Sequence, residues 1–322
     1  MTAFAIILGI GVFCSICSKG AGAEVVLETK NKTLKELREA IYAKIDELPT
    51  IPAVVAKVLA LIEDEKTDAQ ALTRVISHDP SLTAKVLKVA NSAYYGFPQT
   101  ISGLDRAVAL LGMNMVQSLA LSIGVLGNLP KSKGPLNFSS QGLWLHSLAV
   151  ATAMDELKKY CAKARGSDYL FVVGLLHDVG KIVLLHFFLE EYEKALSQLE
   201  NENGSTLYLA ERAAIGFDHG QVGAMLLDRW KFPREVIMPI AVHHHSKVPE
   251  SANPRDTAML KVADQIANLA GIGHGDEKAP PKIAESDFQI LCLDKDDLAK
   301  VQASIIDSKE SIESFFSSMS LA

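Results

Sequence analysis

Histidines and aspartates recur through the second half of the chain, each set in an otherwise apolar helical pattern. They are His146 in LWLHSLAVA, His177 and Asp178 in VVGLLHDVGK, His219 in GFDHGQVGAML, His243 and His244 in IAVHHHS, and Asp264 in LKVADQIAN. An imidazole or carboxylate buried without a partner costs several kcal/mol, so these types are scarce inside apolar helices. Five such segments converging on one point would need a cation between them. A divalent metal ion, or a pair, is the simplest candidate.

The spacing within each segment refines that chemistry. His177 and Asp178 fall in an apolar pattern that predicts one helix over residues 172–185. Neighbouring residues are about 100° apart on a helix, so both can reach one cluster from a single strip. A carboxylate can bridge two ions, which a single imidazole nitrogen cannot. Lys181 follows His177 by four residues, on the same face. It could neutralise a phosphate as a point charge, or snorkel to solvent from a helix end; the spacing alone leaves both open. His219 is flanked by Gly220 and Gly223, small enough to let another helix approach. Of His243, His244 and His245, two can face inward and one must face out. Asp264 lies between Val262-Ala263 and Ile266-Ala267, a setting for a buried carboxylate. Taken singly, a buried histidine is more often a hydrogen-bonded core residue than a ligand, and a helical aspartate more often caps or faces water.

These residues must be positioned by helices. Leu34, Leu37, Ile41 and Ile45 recur at three- and four-residue steps, the helical signature. Pro49 and Pro52 break that helix, and Pro52 suits the opening of the next, expected from Ala53 to Glu63. Asp68 is a candidate N-cap for Ala69 to Ser77, and Asp79-Pro80 opens a helix expected over Ser81 to Asn91. The stretch Tyr94-Tyr95-Gly96-Phe97-Pro98 reads as a turn with aromatics packed beneath it. Two more helices follow, from Leu104 to Leu111 and from Asn114 to Gly127, separated by Gly112. A stretch rich in Pro, Gly and Lys, from Leu129 to Asn137, divides the chain into two helical halves. No run alternates apolar and polar residues, so no sheet is expected and the fold class is all-α. Residues from Asp294 to Phe316 predict one or two closing helices.

The whole-chain totals set bounds. The 322 residues, 48% hydrophobic and 22% charged, describe an ordinary globular composition. A net charge of −6 argues against a general nucleic-acid binder, which would present a basic face. Cys14, Cys17, Cys161 and Cys292 are too few and scattered for a disulfide framework, which fits a reducing cytoplasm. Cys14 and Cys17 have CxxC spacing without a second pair, a weak metal signal. Residues 3–16 are nearly all apolar, but no basic residue precedes Lys19, and the run is short of the roughly 20 residues a membrane-crossing helix needs. Residues 1–32 are therefore assigned to a leader of uncertain status, an unstructured or mis-assigned segment, with secretion or anchoring as the alternative. Trp144 and Trp230 read as core rather than stacking platforms. His78 reads as a helix-end residue, His186 as structural, and His274 as part of a solvated loop.

The order H…HD…H…HH…D resembles the HD superfamily of metal-dependent phosphohydrolases. The closer resemblance is to the HDOD family, a bacterial group linked to signal transduction. Its marks here are LPTIPAVVAKVLALIED, VISHDPSLTAKVLKVANSAYYG and ISGLDRAVALLGMNMVQSLALS in the first half. In the second half they are GLLHDVGK, the stretch from Glu211 through His219 to Trp230 and Pro233, and AVHHH. They cover roughly residues 45–270. The resemblance implies an HD-type helical bundle over residues 129–316, preceded by an N-terminal helical subdomain over residues 33–128. By position it implies His146, His177, Asp178, His219, His243, His244 and Asp264 as metal ligands, with Asp178 and Lys181 as catalytic residues should the site be an enzyme's. Many HDOD proteins lack several of these ligands; this chain keeps the set. It lacks the Gly-Tyr-Pro signature of the group that cleaves cyclic di-GMP, since Ser246-Lys247-Val248-Pro249 follows His245.

Two functional expectations follow. One is a signalling protein with one or two divalent transition-metal ions (Fe, Mn, Ni, Co or Zn), able to hydrolyse a phosphoester of a nucleotide or cyclic nucleotide. The other is a non-catalytic regulatory or scaffolding module that acts through signalling partners. Neither expectation involves nucleic acid or a membrane surface.

Overall fold

The computed structural model describes residues 34–63, 66–130, 139–161, 169–201, 206–273 and 284–319. The expected leader with Cys14 and Cys17, most of the expected linker and His274 lie outside the described residues. Every regular element among the described residues is a helix, so the protein is all-α. In chain order the first half contains α1 (Leu34–Glu47), α2 (Ala53–Glu63), α3 (Ala69–Ser77), α4 (Pro80–Ala90), α5 (Leu104–Leu111) and α6 (Met113–Asn128). The second half contains α7 (Ser140–Leu157), α8 (Leu170–Leu176), α9 (Val179–Phe187), α10 (Leu189–Asn201), α11 (Leu207–Ala214) and α12 (His219–Arg229). It continues with α13 (Arg234–Val242), α14 (Pro254–Ala270), α15 (Glu285–Leu291), α16 (Lys295–Asp307) and α17 (Lys309–Met319).

The helix starts are chemically encoded. Asp68 accepts from the Ala71 N–H, and Asp79 from the Leu82 N–H with Pro80 in the first turn, as the sequence predicts. Gly112, at φ 86°, ends α5 and opens α6, turning the chain through 118°. Asp218 begins α12 with a capping box, its side chain on the Gln221 N–H and the Gln221 side chain on the Asp218 N–H.

One expectation is corrected. The single helix expected over 172–185 is two, α8 and α9, interrupted at His177 and Asp178. Asp178 leaves helical geometry (φ −96°, ψ 7°), and the His177 ring bonds the Gly174 carbonyl that a continuing helix would use. Residues 170–187 are long and apolar enough to cross a membrane by composition, but 89% of the stretch is buried inside the protein.

A continuous hydrophobic core joins the halves. It takes Ile41, Val86 and Leu119 from the first and Leu148, Val183 and Ile240 from the second. The aromatic turn after α4 packs as expected. Phe315 of α17 is fully buried with its ring 5.0 Å from Tyr94 and 6.2 Å from Phe171. Both tryptophans are in the core, and the Trp230 indole N–H donates to the Pro49 carbonyl at 3.1 Å.

Candidate metal centre

α7, the α8–α9 junction, α12, the end of α13 and α14 meet in the interior of the second half. Close glycine contacts fix how near they come. A Cβ on Gly180 of α9 would lie 1.9 Å from the His219 carbonyl oxygen of α12, and one on Gly220 would lie 2.7 Å from the Ile240 carbonyl of α13. Only bare backbone fits at either crossing, which draws the His219 and His243 rings to a centroid separation of 5.5 Å.

All seven expected ligand residues are brought into this one cluster. His146, His177 and Asp178 form one group of donors and His219, His243 and His244 another, the donor atoms of each within 4.8 Å of one another. Asp264 joins the first group, its Oδ1 at 2.9 Å from His146 Nε2 and 3.9 Å from His177 Nε2. Asp178 stands between the groups. Its Oδ1 is 3.2 Å from His219 Nε2, and its Oδ2 is 3.4 Å from His177 Nε2. Exposure is 1–4% for His146, His177, Asp178, His219 and His243, and 7% for Asp264, so solvent does little to screen the cluster. His244 is half-buried, its ring stacked 4.7 Å from Tyr208.

The rings are held from behind. Nδ1 of His177 bonds the Gly174 carbonyl at 2.8 Å and Nδ1 of His243 bonds the Ile240 carbonyl at 2.7 Å. The Glu211 carboxylate accepts from both the Nδ1 and the backbone N–H of His219, at 2.7 and 2.9 Å. These contacts fix which ring nitrogen carries the outer proton and aim each Nε2 inward, as outer partners of metal-bound histidines do. His243 Nε2 is buried with no hydrogen-bond partner, and His244 Nε2 faces His219 Nε2 at 2.7 Å. Inward lone pairs beside ionised carboxylates form a donor set that a divalent cation fits.

Protonation follows from this packing. Burial, together with the charges on His177 and His219, drives His243 down to about 3, and burial lowers His177 and His244 as well. Burial raises the carboxyl of Asp264, but the hydrogen bond and charge of His146 outweigh it and set the value at about 2. Asp178 likewise lies well below the usual carboxylate range: burial opposes ionisation, but His177, Lys181 and His219 prevail. His146 and His219 run the other way. Burial disfavours their charge, but Asp264 raises His146, and Glu211 with Asp178 lifts His219 to about 10.

Of the two sequence readings of Lys181, the fold overturns the solvent-snorkelling one. Lys181 is buried at 6% exposure, and its ammonium pairs with Asp178 Oδ2 at 2.8 Å. His245 is half-buried, His186 is exposed against Phe187, and His78 closes α3, all apart from the donor groups. Glu211 is a site residue that the sequence pattern does not mark. Its only sequence signal is a lone acid in the apolar stripe of α11, eight residues before His219.

This centre sits in a chain whose residues 48–246 match the family model described as HDOD domain. The protein belongs to the HDOD domain family. An uncharacterized protein of Treponema pallidum (strain Nichols) is 28% identical over 233 residues, covering 71% of this chain and 44% of that protein. The chain thus spans less than half the length of that curated relative. Among solved structures, a candidate phosphohydrolase from Shewanella amazonensis SB2B is 26% identical with a TM-score of 0.68, covering 87% of this chain and 98% of its own. A candidate signal transduction protein from Marinobacter aquaeolei VT8 shares the fold at TM-score 0.74 and 20% identity, covering 91% of this chain and 67% of its own.

Proposed function

We propose that this chain is a metal-binding signalling protein, with one or two divalent transition-metal ions held between the two donor groups. His146, His177, Asp178 and Asp264 would supply one side and His219, His243 and His244 the other. The observation that carries this reading is the orientation of the rings: outer nitrogens tied to Gly174, Ile240 and Glu211, inner nitrogens converging. Mostly imidazole with two carboxylates suits Fe, Mn, Ni, Co or Zn better than Ca or Mg.

A second reading, hydrolysis of a nucleotide phosphoester, draws support from the likeness to the Shewanella candidate phosphohydrolase and from Asp178 standing between the two groups. A bound divalent ion supplies a water of near-neutral pKa and polarises a phosphoryl oxygen. In that reading Asp178 orients the centre and Lys181 brings a fixed positive charge beside it. The burial of the cluster favours the signalling reading, because the donors face one another rather than solvent. A signal would then pass to partner proteins through the surrounding helices.

Elemental analysis of the purified protein beside the His177→Ala/Asp178→Ala double variant tests the metal assignment. About one or two equivalents of transition metal, lost in the variant, are expected. Full occupancy in the variant would sink the ligand assignment. Turnover of a phosphoester panel by the loaded wild type, absent in the variant, would promote the hydrolytic reading.

A further inference from the structure

Away from the metal centre, a cavity of about 170 Å³ lies where the two halves of the chain meet. Its walls come from α2 and α6 in the first half and from α8 in the second, the helix that runs into His177. Its lining mixes apolar residues, Leu121 and Val172 among them, with the polar Thr67, Asn114, Gln117 and Ser118. Among the described residues that line it, none carries a formal charge.

Those polar groups are poorly explained as packing. Gln117 and Ser118 are 6% and 3% exposed on a helix whose neighbours are apolar. Gln117 lines the cavity, and Thr67 Oγ1 is buried with no hydrogen-bond partner. Buried amides and hydroxyls are nearly always paired, because an unpaired one forfeits its hydration. Here they line a space large enough for an occupant. A cavity of comparable size, lined by hydrocarbon, takes up benzene.

We propose that this cavity is a binding site for a small neutral molecule, with an apolar body the size of one aromatic ring and an amide or hydroxyl group directed at Gln117 and Thr67. The volume sets the size, the absence of charge among the described lining residues disfavours anions and cations, and the Gln117 amide with the unpaired Thr67 hydroxyl sets the polar end. The proposal does not depend on the metal-binding reading.

Benzamide, phenol and benzyl alcohol are suitable probes, titrated into the full chain and followed by NMR shifts and calorimetry, with benzoate and toluene as controls. Saturable binding of at least one neutral polar probe is expected, with benzoate excluded. Gln117→Leu and the near-isosteric Thr67→Val should each weaken that probe, by roughly tenfold for one lost hydrogen bond. Thr67→Val should melt no lower than wild type, since it removes an unpaired buried hydroxyl, and this separates lost binding from lost folding. No binding by any of the three probes overturns the proposal. So does unchanged affinity in both variants, or toluene binding more tightly than all three.

Discussion

Asp178 directs one carboxylate oxygen at each donor group, while Glu211 grips His219 from behind through two hydrogen bonds. Removing that grip leaves the Nδ1 and the backbone N–H of His219 unpaired and its ring free to turn. Glu211→Ala is therefore expected to lower metal affinity by about 10- to 100-fold. Glu211→Gln, which keeps one acceptor oxygen, should lose less; competition with a chromogenic chelator measures both. A second prediction concerns protons. His146 and His219 hold theirs above the usual histidine value, His219 to about 10, and a metal must displace them. At about 10, His219 holds its proton at neutral pH, so metal affinity should rise with pH and fall on acidification. Uptake should release at least about one proton at pH 7, that of His219. Calorimetry in buffers of differing ionisation enthalpy reads that number; zero release would refute it. The seven donors were legible in the sequence because polar residues stand out in apolar helices. Glu211 was not, because one acid in an amphipathic helix is ordinary until its partner's position is known.

At the level of elements, the decisive contacts are helix crossings at glycine. Gly180 meets the backbone of His219 and Gly223 so closely that a methyl group would force α9 and α12 apart. Gly180→Ala is expected to cost about 3 kcal/mol or more in denaturant unfolding and to weaken metal binding with it. Gly127→Ala is the control. It lies in α6 with no atom within 4 Å of an added Cβ, so it should be neutral or stabilise by up to about 1 kcal/mol. Caps and prolines made most helix starts readable, as at Asp68 and Asp79. The break at His177–Asp178 was not readable, because an unbroken apolar period ran straight through it. What ends α8 is the side chain of His177 taking a carbonyl, a local competition that periodicity does not record.

At the scale of the molecule, the continuous core and the contacts of α12's end with the first half bind the two halves together. Arg229 donates to the Leu48 carbonyl at 2.7 Å and Trp230 to that of Pro49. Trp230→Phe keeps most of the buried area but removes the indole donor, and should destabilise the fold by about 1 kcal/mol. Because one core spans both halves, denaturant unfolding should be a single transition with coincident tryptophan fluorescence and far-UV circular dichroism. Two separated transitions would show that the halves fold independently.

The sequence by itself determined the helical class, most helix starts and the set of residues fit to hold a metal. Those depend on neighbours a few positions away, where capping, periodicity and burial pattern act. Only the tertiary structure decided that the donors divide into two groups with Asp178 between them, that Lys181 is drawn to Asp178, that Glu211 stands behind His219, and that a cavity with no charge among its described lining residues opens between the halves. Each of these depends on which helices cross and how closely, and the interpenetration of side chains distant in sequence sets that distance.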